Sequence, residues 1–237
     1  MFGLGKAASA TKTRTLRQET GEGLGADRIK AMPTVVPGML AGTKVATAKG
    51  WCPVETLTEG DLVLTFDRGL QPLRRVTKTR SSTGQNVPQS EWPLFVPKDA
   101  LGNSQPLMLQ PTQPVMIESD AAEVLYGDPF ALIDAFVLDG YRGIARLQPE
   151  GPVETIGLCF DQDEVVFVND GALVFCGSVR EIAVEDLLSG GLLPGTYRKL
   201  DADEALYLVE CLETVDAIED GVLRDPHGGQ TFSALFA

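Results

Sequence analysis

Histidine is almost missing from this chain. Its 237 residues hold one, His227, within Asp225-Pro226-His227-Gly228-Gly229. Serine, cysteine and metal-dependent hydrolases mostly rely on histidine inside the folded body. A Pro and two Gly around His227 mark an exposed turn or tail, so the residue reads as a loop histidine rather than a catalytic base. The four cysteines, Cys52, Cys159, Cys176 and Cys211, are far apart, which excludes a CxxC zinc or redox motif. They read as reduced, mostly buried thiols of a cytoplasmic protein. No window holds the roughly eighteen apolar residues of a membrane span. The start, Met1-Phe2-Gly3-Leu4-Gly5-Lys6, has no apolar core of the kind that directs Sec export. Gly3 and Gly5 follow no strand, so no nucleotide-binding fingerprint is present, and no repeat of fixed period is visible.

Positive charge is also scarce. The formal net charge is −13 and the isoelectric point about 4.5. Residues 1–37 carry six Lys/Arg and three Asp/Glu, net +3, which leaves −16 for the rest. Such a body repels phosphate backbones, so nucleic-acid binding is not expected outside the first 37 residues. Hydrophobic residues at 43% and charged residues at 22% are ordinary globular usage. With 25 Gly and 15 Pro spread along the chain, turns are frequent and a β-rich architecture is favoured.

Three segments emerge. Residues 1–37 are Gly/Ala/Thr-rich without apolar period and read as a protease-sensitive arm, with Pro33 and Pro37 as a stiff joint. Residues 38–177 read as one all-β unit. Lys44–Thr47 is a short strand. Leu62–Phe66 is an apolar strand stopped at Asp67-Arg68-Gly69, and Leu73–Thr79 is expected to pair with it. Leu107–Leu109 and Val115–Ile117 flank a Pro-containing bend, Gln110–Pro114. Ala121–Leu125 and Phe130–Leu138 read as short helical turns. Val153–Phe160 alternates. Val165–Val168, Asn169-Asp170-Gly171 and Leu173–Phe175 form a strong hairpin signal. Leu62, Leu64, Val166, Val168 and Val174 are the expected core. Residues 178–237 hold four Lys/Arg and twelve Asp/Glu. They read as an acidic extension with two short helices, opened by capping patterns at Ser178/Glu181 and Asp201/Glu204.

Gly38-Met39-Leu40-Ala41-Gly42-Thr43, Gly50, and Pro53-Val54-Glu55-Thr56-Leu57-Thr58-Glu59-Gly60-Asp61-Leu62-Val63-Leu64-Thr65 together resemble the opening of a Hint (Hedgehog/intein) domain. Asp67–Val76 continues in the manner of the bacterial branch, and Val165–Val174 looks like the family's closing hairpin. The resemblance covers about 38–177. It implies a flat, disc-like β fold with pseudo-two-fold halves. Hint autoprocessing requires a thiol or hydroxyl to attack the preceding carbonyl, and a Thr-x-x-His to polarise it and protonate the leaving amine. The nucleophile's position, five before Thr43, falls on Gly38. The Thr-x-x-His slot falls on Gln110 and Gln113, and the closing His-Asn on Phe175 and Cys176. The histidine before the last hairpin corresponds to Asp163. Glutamine donates and accepts hydrogen bonds but shuttles no proton near neutral pH. The resemblance therefore implies a catalytically inactive Hint protein that acts as a protein-interaction or structural module, with a protein partner and no cofactor or metal. A self-processing protein with atypical residues is one alternative. A Hint-type exoprotein secreted without a Sec signal is another, against which stand the four cysteines and the lack of Gly-Gly-x-Gly-x-Asp repeats.

Three smaller features have a bland reading beside a functional one. Cys52, between Trp51 and Pro53, has no histidine partner and reads as a structural thiol. Asp161-Gln162-Asp163-Glu164 misses calcium-loop spacing and reads as a solvated acidic turn. Arg74, Arg75, Lys78 and Arg80 form a basic strand, either a protective sheet edge or a docking site for an acidic partner.

Overall fold

A computed structural model describes residue 33 and residues 37–81, 87–179 and 197–219. The strands are β1 (Met39–Leu40), β2 (Lys44–Thr47), β3 (Gly50–Pro53), β4 (Leu62–Thr65), β5 (Gly69–Pro72), β6 (Arg75–Arg80) and β7 (Leu94–Val96). They continue with β8 (Leu107–Leu109), β9 (Pro114–Glu118), β10 (Phe130–Asp134), β11 (Ala145–Arg146), β12 (Glu154–Cys159), β13 (Glu164–Val168) and β14 (Ala172–Cys176). Helix α1 spans Asp120–Tyr126 and helix α2 spans Ala202–Glu219. One sheet has the order β11-β7-β8-β1-β12-β6, and the other β10-β9-β14-β13-β2-β4-β5 with β3 alongside β2. Every ladder between these strands is antiparallel. The mainly β architecture expected from composition and turn spacing is what the chain adopts.

The closing hairpin forms as its turn chemistry requires. Asn169 and Asp170 both take positive φ, 45° and 63°, and the Gly171 amide donates to the Val168 carbonyl at 3.1 Å. That is the mirror-image turn whose twist suits a hairpin. Gly171 is required there for a second reason: a Cβ on it would lie 2.1 Å from the Gly102 carbonyl oxygen.

Four expectations need correction. Leu62 and Leu64 are exposed, at 42% and 38%, whereas Val63 and Thr65 point inward. A strand's phase has only two settings, and the inward Thr65 is tolerated because its hydroxyl donates to the Gly69 carbonyl at 2.9 Å. The partner of β4 is β5, not the segment from Leu73. Leu73 is buried, and the chain then crosses to the other sheet, where β6 pairs with β12. Phe130–Asp134 is a strand on β9, with only Ala135–Leu138 turning as a 3-10 helix. The continuous burial of Ala131, Leu132 and Ile133, covered on both faces, hides the alternation that marks a strand. Glu164, finally, is not part of a solvated turn but is 1% exposed. Val166, Val168 and Val174 are buried as expected.

The helix expected after Ser178 lies outside the described residues. The one after Asp201 is α2, and its capping box is reciprocal. The Glu204 amide donates to Asp201 Oδ1 at 2.9 Å and the Asp201 amide to Glu204 Oε2 at 3.1 Å. Ala205, Leu208 and Leu212 bury against the β body, joining the same core as Val63, Ile133 and Ile156. Arg142 clamps the far end of α2 through Asp216, with both contacts within 2.7 Å. Among the described residues no helix is long and apolar enough to cross a membrane.

Candidate functional site

Gly38 is buried immediately before β1, where Met39 pairs with both Ile156 and Leu109. This places position 38 against β12. A Cβ built on Gly38 would meet Thr155 Cγ2 at 2.6 Å and the Ile156 carbonyl oxygen at 3.0 Å. The side-chain space at this position is already filled by Thr155, itself buried.

Between β8 and β9 the chain reverses through Gln110–Gln113, closed by the Gln113 amide donating to the Gln110 carbonyl at 2.9 Å. Pro111 and Pro114 restrict the backbone in and after this turn. The bend expected here is present, and both glutamines are buried. Gln110 Nε2 donates to Thr155 Oγ1 at 2.8 Å. Its other amide atom, Oε1, is buried without a hydrogen-bond partner among the described residues. Gln113 Nε2 donates to the Phe175 carbonyl at 2.8 Å and the Pro114 carbonyl at 3.0 Å. The two main-chain carbonyls beside the turn are also used: Ala135 and Phe136 donate to Gln113 and Pro111.

Four of the six positions singled out in the sequence therefore meet. Gly38 and Gln110 converge on Thr155, and Gln113 holds Phe175. The other two lie at the start of β13 and the end of β14. Asp163 does not enter the glutamine network. Its Oδ1 accepts from the Ser178 amide at 2.9 Å, and its carbonyl accepts from Arg68 at 3.2 Å. Cys176 is buried opposite Glu164, and desolvation pushes its thiol well above the usual range. Such a thiol is a poor nucleophile.

Sequence reasoning missed Thr155, Arg68, Glu164 and Tyr197. Glu164 pairs with Arg68, while its Oε2 is buried without a hydrogen-bond partner among the described residues. Tyr197 donates to the Asp67 carboxylate beside Arg68, and burial raises its phenol. The one legible signal was that Glu164 opens a strand in which Val165, Val166 and Val168 are apolar.

Chemically, the glutamine network supplies neutral donors and one unused acceptor. Its one hydroxyl, Thr155 Oγ1, accepts from Gln110, and a glutamine amide neither gains nor loses a proton near neutral pH. Elsewhere, Cys52 is half-buried with Thr47 Oγ1 at 3.4 Å, and neighbouring Lys49 is engaged by Asp61 at 2.8 Å. A concavity of about 400 Å³, lined in part by Ser119, Arg142, Leu173 and Asp216, touches none of the six positions. Among the described residues no group of three or more His, Cys, Asp or Glu is arranged to hold a metal ion.

A Hint domain family model matches residues 37–174. Similar solved structures include a bacterial intein-like domain from Clostridium thermocellum, 14% identical, with TM-score 0.44, covering 59% of this chain and 99% of that one. The gp41-1 intein is 13% identical, with TM-score 0.37, covering 60% and 100%. No curated protein sequence matches the chain.

Proposed function

Since the chain belongs to the Hint domain family, we propose that it is a Hint scaffold that does not cleave itself and serves as a protein-interaction or structural module. The observation that carries this reading is the packing at position 38. A nucleophilic side chain there would have to push aside the Thr155 methyl group, which lies 2.6 Å from where its Cβ would go. The acyl shift begins with attack by that side chain, and glycine has none.

The second step has no agent either. Protonating a leaving amine needs a group that titrates near neutral pH. Gln113 is instead a fixed donor whose amide hydrogens are spent on the Phe175 and Pro114 carbonyls. The amides act as struts, tying the β8–β9 turn to β14 and β12.

Intact mass spectrometry tests the reading. The purified chain is incubated at neutral pH with a thiol and, separately, with hydroxylamine. One species at full mass is expected throughout. A fragment beginning at residue 38, or a mass released by hydroxylamine, would overturn the proposal.

A further inference from the structure

Strand β6 is the edge of its sheet, with β12 on one side and no strand among the described residues on the other. The remaining edges are blunted. β5 and β3 are four residues long, start with Gly and end with Pro. β11 has two residues. The outer side of β10 is used, because Leu132 donates to Arg198 and accepts from Leu200. β6 has six residues, Arg-Val-Thr-Lys-Thr-Arg, with no Gly or Pro, and all but Val76 are exposed.

The register shows which main-chain groups are open. Ser81 donates to Val153 at 2.9 Å, and the ladder runs from Arg80 opposite Glu154 to Arg75 opposite Cys159. In an antiparallel ladder the bonded residues alternate. Thr77 and Thr79 therefore turn their amides and carbonyls toward β12, and Val76, Lys78 and Arg80 turn theirs toward the open edge.

This edge is a cationic strip on an acidic chain. Arg74 to Arg80 contains four basic residues and no acid. Arg74 is paired with Asp161, and Lys78 reaches the Glu55 carbonyl. Arg75 and Arg80 have no such partner among the described residues. Opposite charges on directly paired strand positions attract, and like charges repel. A second copy added two-fold through Val76, Lys78 and Arg80 would set Lys78 against Lys78, so self-pairing is disfavoured.

Building on the interaction-module reading, we propose that β6 is a docking edge for an extended acidic segment of a partner protein, which adds to the sheet as a further strand. Main-chain bonds to Val76, Lys78 and Arg80 would hold the segment. Acidic side chains facing Lys78 and Arg80, which share one face of β6, would select it. A nucleic acid has the charge but no peptide main chain to join the ladder.

The test uses the full chain and a short synthetic peptide alternating Glu with Val and Thr. Its Lys counterpart, a Pro-containing acidic peptide and a single-stranded oligothymidylate are the comparisons. The acidic peptide is expected to bind about tenfold or more tighter than each of the others, and less tightly as salt rises. It should slow hydrogen exchange at Val76, Lys78 and Arg80. Lys78→Pro removes an outward amide without breaking the ladder to β12, and should abolish binding. Lys78→Ala, which keeps the amide, should only weaken it. The paired change Lys78→Glu and Arg80→Glu, on one face of the strand, should turn the preference to the Lys peptide. Equal binding of the oligothymidylate, no peptide binding, or edge amides already protected in the free chain would overturn the proposal. Intact mass is read on the same samples. A cleaved chain counts against the non-cleaving reading, whereas a full-length chain that ignores the peptide counts against this edge alone.

Discussion

Phe175 and Cys176 are consecutive, yet their surroundings are opposite in kind. The Phe175 carbonyl is held by the neutral Gln113 amide, within a network that extends through Gln110 to Thr155 and Gly38. Cys176 faces Glu164, a buried carboxylate balanced by Arg68. A neutral network loses a bond when one member is removed. An ionic one is left with an uncompensated charge, which costs more in the interior. The strand end is thus fastened by two devices of unequal fragility, and the positions inferred for self-processing lie mainly in the neutral one.

The largest effect is expected on the ionic side. Arg68→Ala strips the counterion from Glu164 and should cost about 3 kcal/mol in denaturant unfolding. Adding Glu164→Gln should restore most of that loss. If the double variant is no more stable than the single one, charge is not what Arg68 supplies.

On the neutral side, Gly38→Cys should cost about 2 kcal/mol by forcing a side chain against Thr155. Thr155→Ser, which removes the methyl group and keeps the hydroxyl for Gln110, should recover part of it. Both variants should remain full length by intact mass, since no proton-transfer group has been added. A stable Gly38→Cys chain would mean that position 38 is not closed.

Gln113→Leu removes the donor to two carbonyls and should cost about 1–2 kcal/mol. The loss should fall below that of Arg68→Ala in the same measurement; the reverse order would break the contrast between the two devices.

The smallest effect supplies an exposed reference. The Asp61 carboxyl is drawn down to about 2, first by the hydrogen bond from Lys49 and then by those from Thr58. Its pKa is lowered on folding, so its contribution is present above the ordinary carboxylate value and lost as pH falls through about 2. Asp61→Asn should therefore flatten the acid limb of an unfolding titration between about pH 4 and 2 and lower neutral stability by the same small amount. A large loss at neutral pH would show that this exposed pair carries more than its position suggests.

Legibility followed the range of the interactions. The Asn169-Asp170-Gly171 turn and its two strands could be read because a mirror-image turn is specified by its own residues. The Asp201/Glu204 capping box is equally local. The phase of β4 could not be read, because apolar residues stand at three consecutive positions and alternation cannot choose between the faces. Nor could the route of β6, since a strand's partner is set by what else needs a neighbour. Gly38, Gln110, Gln113 and Phe175 were found by resemblance, but their connection through Thr155 was invisible, as Thr155 lies more than forty positions beyond the turn.

By itself, the sequence determined the β-rich class, the closing hairpin, the capped helix and the residue types at each candidate position. These depend on backbone preferences and short-range hydrogen bonds, or on chemistry that does not change with context. Only the tertiary structure decided that Glu164 is buried, that Leu64 is not, that Thr155 crowds the space at Gly38, and that β6 ends its sheet among the described residues. Each of these follows from which strands pack together. Burial and pairing are properties of the assembled sheets, and the same residue is core or surface according to the neighbour it receives.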